Sequence, residues 1–102
     1  MSTLDTIKNA MSNLKPISFT YQNLNVRVGE PYAVFIQTNN TVKVHIVQTA
    51  GHTSSGILNK FKAFNIEDIH NLTILSNEPS YIPNHQDYKP ESPYYKNVIA
   101  KV

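Results

Sequence analysis

Residues 26–49 read VRVGEPYAVFIQTNNTVKVHIVQT, and this stretch decides the fold. It holds two runs of strand-like composition, Val26–Thr38 and Val42–Thr49, joined by an Asn-Asn pair that tolerates positive φ. The Gly-Glu-Pro step at 29–31 interrupts the first run, because proline removes a ladder donor and glycine permits a bulge. The stretch therefore predicts a sharply bent antiparallel hairpin.

The length of the hairpin turn predicts which side chains share the core. With a two-residue turn at Asn39 and Asn40, Phe35 faces Val44 and Ala33 faces Ile46 on the core side. A longer turn would change this register.

Shorter elements flank the hairpin. An apolar stripe with helical spacing predicts a helix over 3–14, which Pro16 ends. Alternating apolar residues predict a strand over 17–21 before the hairpin. Strands at 61–64 and 72–75, separated by a single helical turn at 66–69, follow it. This plan predicts a mainly β protein, a small SH3/Sm-like five-stranded barrel with an N-terminal helix.

The composition changes at residue 76. The last part of the chain holds four of the six prolines and four of the six tyrosines. Proline-rich segments are often extended linkers, but free disorder is rarely so rich in aromatic residues. We expect an ordered strap over 77–102 that packs its tyrosines on the body or on a partner chain, with a short edge strand near Val98–Val102. The whole chain is then one domain, with the helix in 1–15 and the barrel in 16–76.

Composition excludes several classes of protein. The 102 residues are 40% hydrophobic and 16% charged, which is globular, and the absence of cysteine excludes disulfides and thiolate chemistry. No apolar run reaches membrane-spanning length and no secretory pattern begins the chain, so we expect a cytoplasmic protein without membrane contact. A net charge of +2 makes binding to long nucleic acid unlikely.

No motif supports catalysis. The sequence lacks G-x-S-x-G, H-E-x-x-H and paired carboxylates on one strand. The four histidines, at 45, 52, 70 and 85, are too dispersed to indicate a metal site. We therefore expect a binding protein that needs no cofactor.

The strongest chemical signal is a small basic region. Four cations, Arg27, Lys43, Lys60 and Lys62, accompany one acid between residues 27 and 62. The single arginine offers a bidentate fork for phosphate or carboxylate, although a salt bridge to Glu30 is about equally plausible. A Gly-His-Thr-Ser-Ser-Gly loop at 51–56 has the glycine spacing of a phosphate loop without the Lys-Ser/Thr that a Walker motif requires. It could form an anion nest or be an ordinary solvated loop.

These residues define a candidate site. Gln48 lies on the apolar side of its strand, where its amide either bonds to backbone or contacts a ligand. Tyr21, His45 or a tyrosine of the strap would stack on the base of the ligand. The candidate ligand-binding residues are Tyr21, Arg27, His45, Gln48, Gly51, His52, Thr53, Ser54, Ser55, Gly56, Lys60 and Lys62.

The order of these segments resembles a WYL domain, most specifically in the Arg-x-x-Glu-Pro step. The matching segments are Ile17–Tyr21, Arg27–Pro31, Val42–Thr49 and Lys60–Ile69, and the Gln48–Gly56 and Tyr81–Asn84 stretches resemble small stand-alone WYL-like proteins of bacteria and phages. The resemblance implies an Sm-like barrel that binds nucleotides or single-stranded nucleic acid. The Trp-Tyr-Leu that names the family is not present at 42–46, and no helix-turn-helix precedes the barrel, which argues against a whole WYL transcription factor.

Three functions follow, in decreasing order of support. The first is non-enzymatic binding of a small phosphorylated, nucleotide-like ligand, as in a viral sponge that sequesters a host defence signal. The second is a protein-interaction adaptor that works through the strap. The third is a single-stranded nucleic-acid binder. We also expect a homo-oligomer, with a dimer favoured.

Overall fold

The computed structural model describes residues 2–22, 26–37, 39–51, 56, 58–95 and 97–102. Its elements in chain order are α1 (Thr3–Ser12), β1 (Ile17–Tyr21), β2 (Val26–Ile36), β3 (Val42–Gly51), β4 (Lys60–Asn65), a 3₁₀ turn (Ile66–Asp68), β5 (Ile69–Ile74), a second 3₁₀ turn (Pro93–Tyr95) and β6 (Val98–Lys101). The protein is therefore mainly β with one N-terminal helix, as its sequence predicts.

The six strands form one antiparallel sheet in the order β4-β3-β2-β1-β5, and β6 pairs with β2. The two ends of this order, β4 and β5, are not joined by a ladder in the described part of the chain, so the sheet is open and not the closed five-stranded barrel of the prediction. Where β4 ends, the Asn65 amide donates to the Tyr21 hydroxyl at 3.0 Å, and just after β1 the Gln22 amide donates to the Asp68 carbonyl at 2.9 Å.

Strand β2 bends in its middle and serves two neighbours along one edge. Its first half pairs with β1 and its second half with β6, while β3 follows the other edge throughout. Register shifts flank the Gly29–Pro31 step, which confirms the predicted bulge. A Cβ at Gly29 would collide with the Ile46 side chain and the Val47 carbonyl, so only glycine fits this close approach.

The hairpin register differs from the prediction. Gln37 donates its amide to the Thr41 carbonyl, so three residues, and not two, form the turn, and Asn40 has a positive φ of 64°. Ile36 then pairs with Val42 and Val34 with Val44. The predicted pairing of Phe35 with Val44 is wrong by one position, since the turn is longer by one residue.

This register gives the sheet two covered faces. We call the face under α1 the inner face; its core contains Val34, Val44 and Phe64 together with buried residues of the helix. Helix α1 begins at the Ser2 cap, whose hydroxyl accepts from the Asp5 amide, and it ends two residues before the predicted boundary. On the other side, the outer face, Phe35 and Tyr32 pack against tyrosines of the strap.

The strap packs on the body. The aromatic residues that it contributes to the outer face are Tyr81, Tyr88 and Tyr95. Tyr81 donates its hydroxyl to the Pro31 carbonyl, and Tyr88 donates to the Val102 carbonyl at 2.6 Å. Of the two arrangements predicted for the strap, the structure shows the one within a single chain.

Candidate functional site

Several of the predicted site residues meet at one end of the inner face. Arg27 is the second residue of β2 and lies opposite Gly51 of β3, and Gln48 pairs with Lys60 of β4. Because side chains alternate along a strand, Lys60 and Lys62 lie on the same face as Phe64, which is in the inner core. We call Arg27, Gln48, Lys60 and Lys62 the basic cluster.

Arg27 is the centre of the basic cluster and is only 5% exposed. Its guanidinium carbon lies 5.3 Å from the ring centroid of Tyr21 and 5.5 Å from that of Phe64, both cation–π distances. Its Nη1 makes a long hydrogen bond of 3.5 Å to the Gln48 Oε1. Its Nε is buried and has no hydrogen-bond partner among the described residues.

The alternative role of Arg27, a salt bridge to Glu30, is not observed. Within the described ranges, the one ion pair closer than or at 4.0 Å joins His85 and Asp87. Alternation along β2 places the two side chains on opposite faces of the sheet, and Glu30 lines a cavity beside Tyr81 on the outer face. Among the described residues, this buried guanidinium contacts two aromatic ring faces and one amide, none of which carries a negative charge.

Gln48 is fully buried, and its side-chain amide lies next to the Arg27 guanidinium. Its Oε1 accepts from Arg27, and its Nε2 donates to the Ala50 carbonyl at 3.2 Å. The amide thus makes the backbone bond of one interpretation and also orients the arginine. This pair of bonds fixes which end of the amide faces the cation.

Lys62 brings a second cation near Arg27. Partial burial lowers the pKa of Lys62, and the charges of Arg27 and Lys60 lower it further. Lys60 itself is exposed. Positive charge is therefore concentrated at one end of the inner face, where a bound anion would relieve the mutual repulsion.

Gly51 places backbone directly against the basic cluster. It has a positive φ of 90°, and a Cβ there would collide with the Val26 carbonyl and lie 2.7 Å from the Arg27 Cα. Gly56 also has a positive φ, of 75°, with nothing within 4 Å of a Cβ. His52, Thr53, Ser54 and Ser55 lie outside the described residues, so the anion nest stays a prediction.

His45 lies elsewhere. Its position in β3 alternates with that of Gln48, so its ring faces the outer side, 4.6 Å from Phe35 and 4.8 Å from Phe61 by centroid. Its Nδ1 lies 2.7 Å from the Tyr95 hydroxyl, and burial lowers its pKa to about 4. The structure thus does not bring His45 together with the basic cluster.

Two residues of this region are absent from the predicted site. Phe64 supports the Arg27 guanidinium, and its alternation with Lys60 and Lys62 is a signal visible in the sequence. Asn65 has a buried Oδ1 without a hydrogen-bond partner in the described part of the chain. No local sequence pattern indicates this unpaired Oδ1, because it lies where the last residue of β4 meets Tyr21 of a distant strand.

Further features bear on other classes of function. Across the described ranges, no three histidine, aspartate or glutamate side chains are grouped as metal ligands. None of the described helices has the length and apolar character that a membrane crossing requires. Comparisons with protein-family models, with curated proteins and with solved structures find no match to this chain.

Proposed function

We propose that this chain binds a small phosphorylated, nucleotide-like ligand at the basic cluster and does not transform it. The observation that carries the proposal is the Arg27 guanidinium, buried without a carboxylate partner in the described structure and accompanied by Lys62. A buried unpaired charge is costly, and evolution rarely retains one without use. A phosphate beside Arg27 would supply the missing counter-charge.

The ligand-binding role would be sequestration or sensing. The WYL resemblance suggests a viral sponge for a host signal molecule, and this remains part of the proposal. A helix before a β meander, with a 3₁₀ turn between β4 and β5, supports an SH3/Sm-like ancestry for the open sheet. The homodimer and the cytoplasmic location also stay predictions.

The adaptor alternative has less support than ligand binding. Tyr81 and Tyr95, on which a strap surface would depend, are each only 7% exposed and pack on the body. Binding of single strands would need stacking platforms that are accessible, whereas the Tyr21 ring is covered by Arg27 and by the edge of Phe64.

The test is a thermal-shift panel of linear and cyclic nucleotides, with inorganic phosphate and pyrophosphate beside them. A ligand at a hundred times its dissociation constant adds about 2.7 kcal/mol to the free energy of unfolding, which is a clear shift for this size of domain. The critical variant is Arg27→Met, which keeps the packing on Tyr21 and Phe64 and removes the charge. We expect it to abolish the ligand-induced shift while the free protein stays as stable or becomes more so.

Two further variants sharpen the test. Lys43→Met removes a cation of β3 whose side chain alternates with Val44 and so lies on the outer face, away from the basic cluster. The ligand response of this variant should equal that of the wild type. Gln48→Glu gives Arg27 an internal carboxylate and should abolish the response without loss of stability. No shift with any phosphate compound, or an undiminished shift in Arg27→Met, would overturn the proposal.

A further inference from the structure

A cavity lies on the opposite side of the sheet from the basic cluster. Its volume is about 460 Å³. Val28 and Thr49 line it on the outer face of the sheet, Pro16 and Leu75 line it beside the sheet, and the first turn of the strap closes the remaining side. This volume is within the range of small-molecule sites, roughly 300–1,000 Å³. The proposed anion site does not use it.

Its walls are mostly apolar and firmly anchored. Leu75 donates its amide to the Pro16 carbonyl at 2.9 Å, and Tyr81 donates to the Leu14 carbonyl at 2.8 Å. The Lys15 ammonium holds the strap from outside by donating to the Glu78 carbonyl at 2.7 Å. The cavity is therefore already formed in the free protein.

The hydroxyl groups at the cavity have their hydrogens committed elsewhere. Ser80 donates to the Asn13 carbonyl at 3.0 Å, Tyr81 to the Pro31 carbonyl and Thr49 to the Val28 carbonyl at 3.4 Å. The groups left for a ligand are two carboxylates, those of Glu30 and Glu78. In the described structure, neither carboxylate accepts a hydrogen bond or pairs with a cation.

Glu30 is the half-buried member of the pair, and no cation of the described residues lies within ion-pair distance of it. Burial raises the pKa of Glu30, and an electrostatic interaction with His85 lowers it in part. His85 accepts from the Asp87 amide at Nδ1, and its Nε2 lies 2.8 Å from the Asn59 carbonyl. Both ring nitrogens of His85 are thus engaged by groups other than the Glu30 carboxylate.

We propose that this cavity binds an alkylammonium group, with Glu30 and Glu78 as its counter-charges. The apolar walls at Val28, Leu75 and Pro79 would cover the methylene stem, and the carboxylates would hold the charged head. A free diamine and the lysine side chain of a partner protein share this chemistry. The site is independent of the proposed function, since it uses no residue of the basic cluster.

The experiment is an amide NMR titration of the full chain with butane-1,4-diamine. We expect shifts at Val28, Thr49 and Leu75, and no comparable shifts with butan-1-ol, which has the stem without the charge. Glu30→Gln keeps the shape of the side chain and should weaken binding about tenfold or more, and Glu78→Gln should weaken it less. Glu67→Gln, an exposed acid on the first 3₁₀ turn, should leave the affinity unchanged.

An end-blocked lysine peptide distinguishes the two sources. Binding at least as tight as that of the diamine indicates a partner's lysine, and binding of the diamine alone indicates a free amine. The proposal fails if neither probe perturbs these amides at millimolar concentration, if butan-1-ol binds equally well, or if Glu30→Gln binds as the wild type does. Arg27→Met should not alter this titration, which keeps its outcome separate from that of the anion site.

Discussion

Arg27 and His45 are two basic side chains that folding removes from water, and the protein handles their charges in opposite ways. Arg27 cannot lose its proton, so the fold surrounds it with two aromatic faces and the Gln48 amide. His45 can lose its proton, and its aromatic surroundings favour the neutral ring, with Tyr95 as hydrogen-bond partner. One site therefore keeps a charge for a ligand, while the other becomes part of the core.

The neutral state of His45 predicts acid sensitivity. Its pKa falls from the usual 6.5 to about 4 in the folded protein. As the pH drops below about 6.5, the unfolded chain protonates this histidine first, so the free energy of unfolding falls until about pH 4 and then levels off. Allowing for solvent screening, the loss is on the order of 2 kcal/mol. Urea unfolding at a series of pH values measures it.

His45→Gln is the control for that prediction. Glu30 contributes the opposite slope, because its raised pKa lets the folded state bind its proton first as the pH falls. Since the variant retains Glu30, the difference between the two pH profiles isolates His45. Parallel profiles between pH 4 and 6.5 would show that the histidine is not held neutral.

At the scale of elements, the strap completes the fold by covering the outer face of β2, β3 and β4. Tyr88 lies at the centre of that contact, with ring centroids 4.9 Å from Tyr32, 6.0 Å from Phe61 and 6.2 Å from Tyr95. We expect Tyr88→Ala to lower the free energy of unfolding by about 3 kcal/mol, because a cavity would replace the ring.

The matched variant Tyr88→Phe separates packing from hydrogen bonding. It loses only the bond to the Val102 carbonyl and should cost about 1 kcal/mol. Urea unfolding with an unchanged slope measures both variants. If Tyr88→Ala were no worse than Tyr88→Phe, the strap would not be a structural part of the body.

The sequence predicts these elements better than it predicts their faces. Periodicity and turn residues are enough to predict helix α1, the bulge at Gly29–Pro31 and the succession of strands along the chain. Tyr32, Ala33, Val34 and Phe35 are buried in succession, a pattern that alternation cannot explain and that indicates a strand covered on both sides. The register could not be predicted, because Asn39 and Asn40 suit turns of two residues or three equally.

The candidate site likewise has features that could be predicted from the sequence and features that could not. Given the hairpin, alternation brings Gln48, Lys60 and Lys62 to one face, so their proximity was predictable. The separation of Arg27 from Glu30 follows from the same alternation, because residues three apart in a strand face opposite sides of the sheet. The bond between the Asn65 amide and the Tyr21 hydroxyl could not be predicted, because it joins positions 44 residues apart and no local pattern contains it.

At the scale of the whole molecule, a net charge of +2 conceals two opposed surfaces. The basic cluster is at one end of the inner face, and the cavity with Glu30 and Glu78 is on the outer side. A field of this kind attracts a compact anion to one place without drawing a long polyanion along the surface. It therefore predicts how binding should respond to salt.

We expect the affinity for a phosphorylated ligand to fall only gently with salt, with a log–log slope between about −1 and −2, since few cations release counterions. Oligonucleotides longer than the cluster should bind no more tightly than the mononucleotide, because the described residues show no continuous row of cations beyond Lys60. Calorimetric titrations of both ligands at several salt concentrations measure these slopes. For a single-strand binder, the log–log slope of the oligonucleotide would be steep, about −0.7 per contacted phosphate over six or more phosphates. Such a slope would overturn the compact site. If the protein binds single strands, Lys43→Met should make the salt slope shallower; if it binds a compact anion, the slope should be the same as in the wild type.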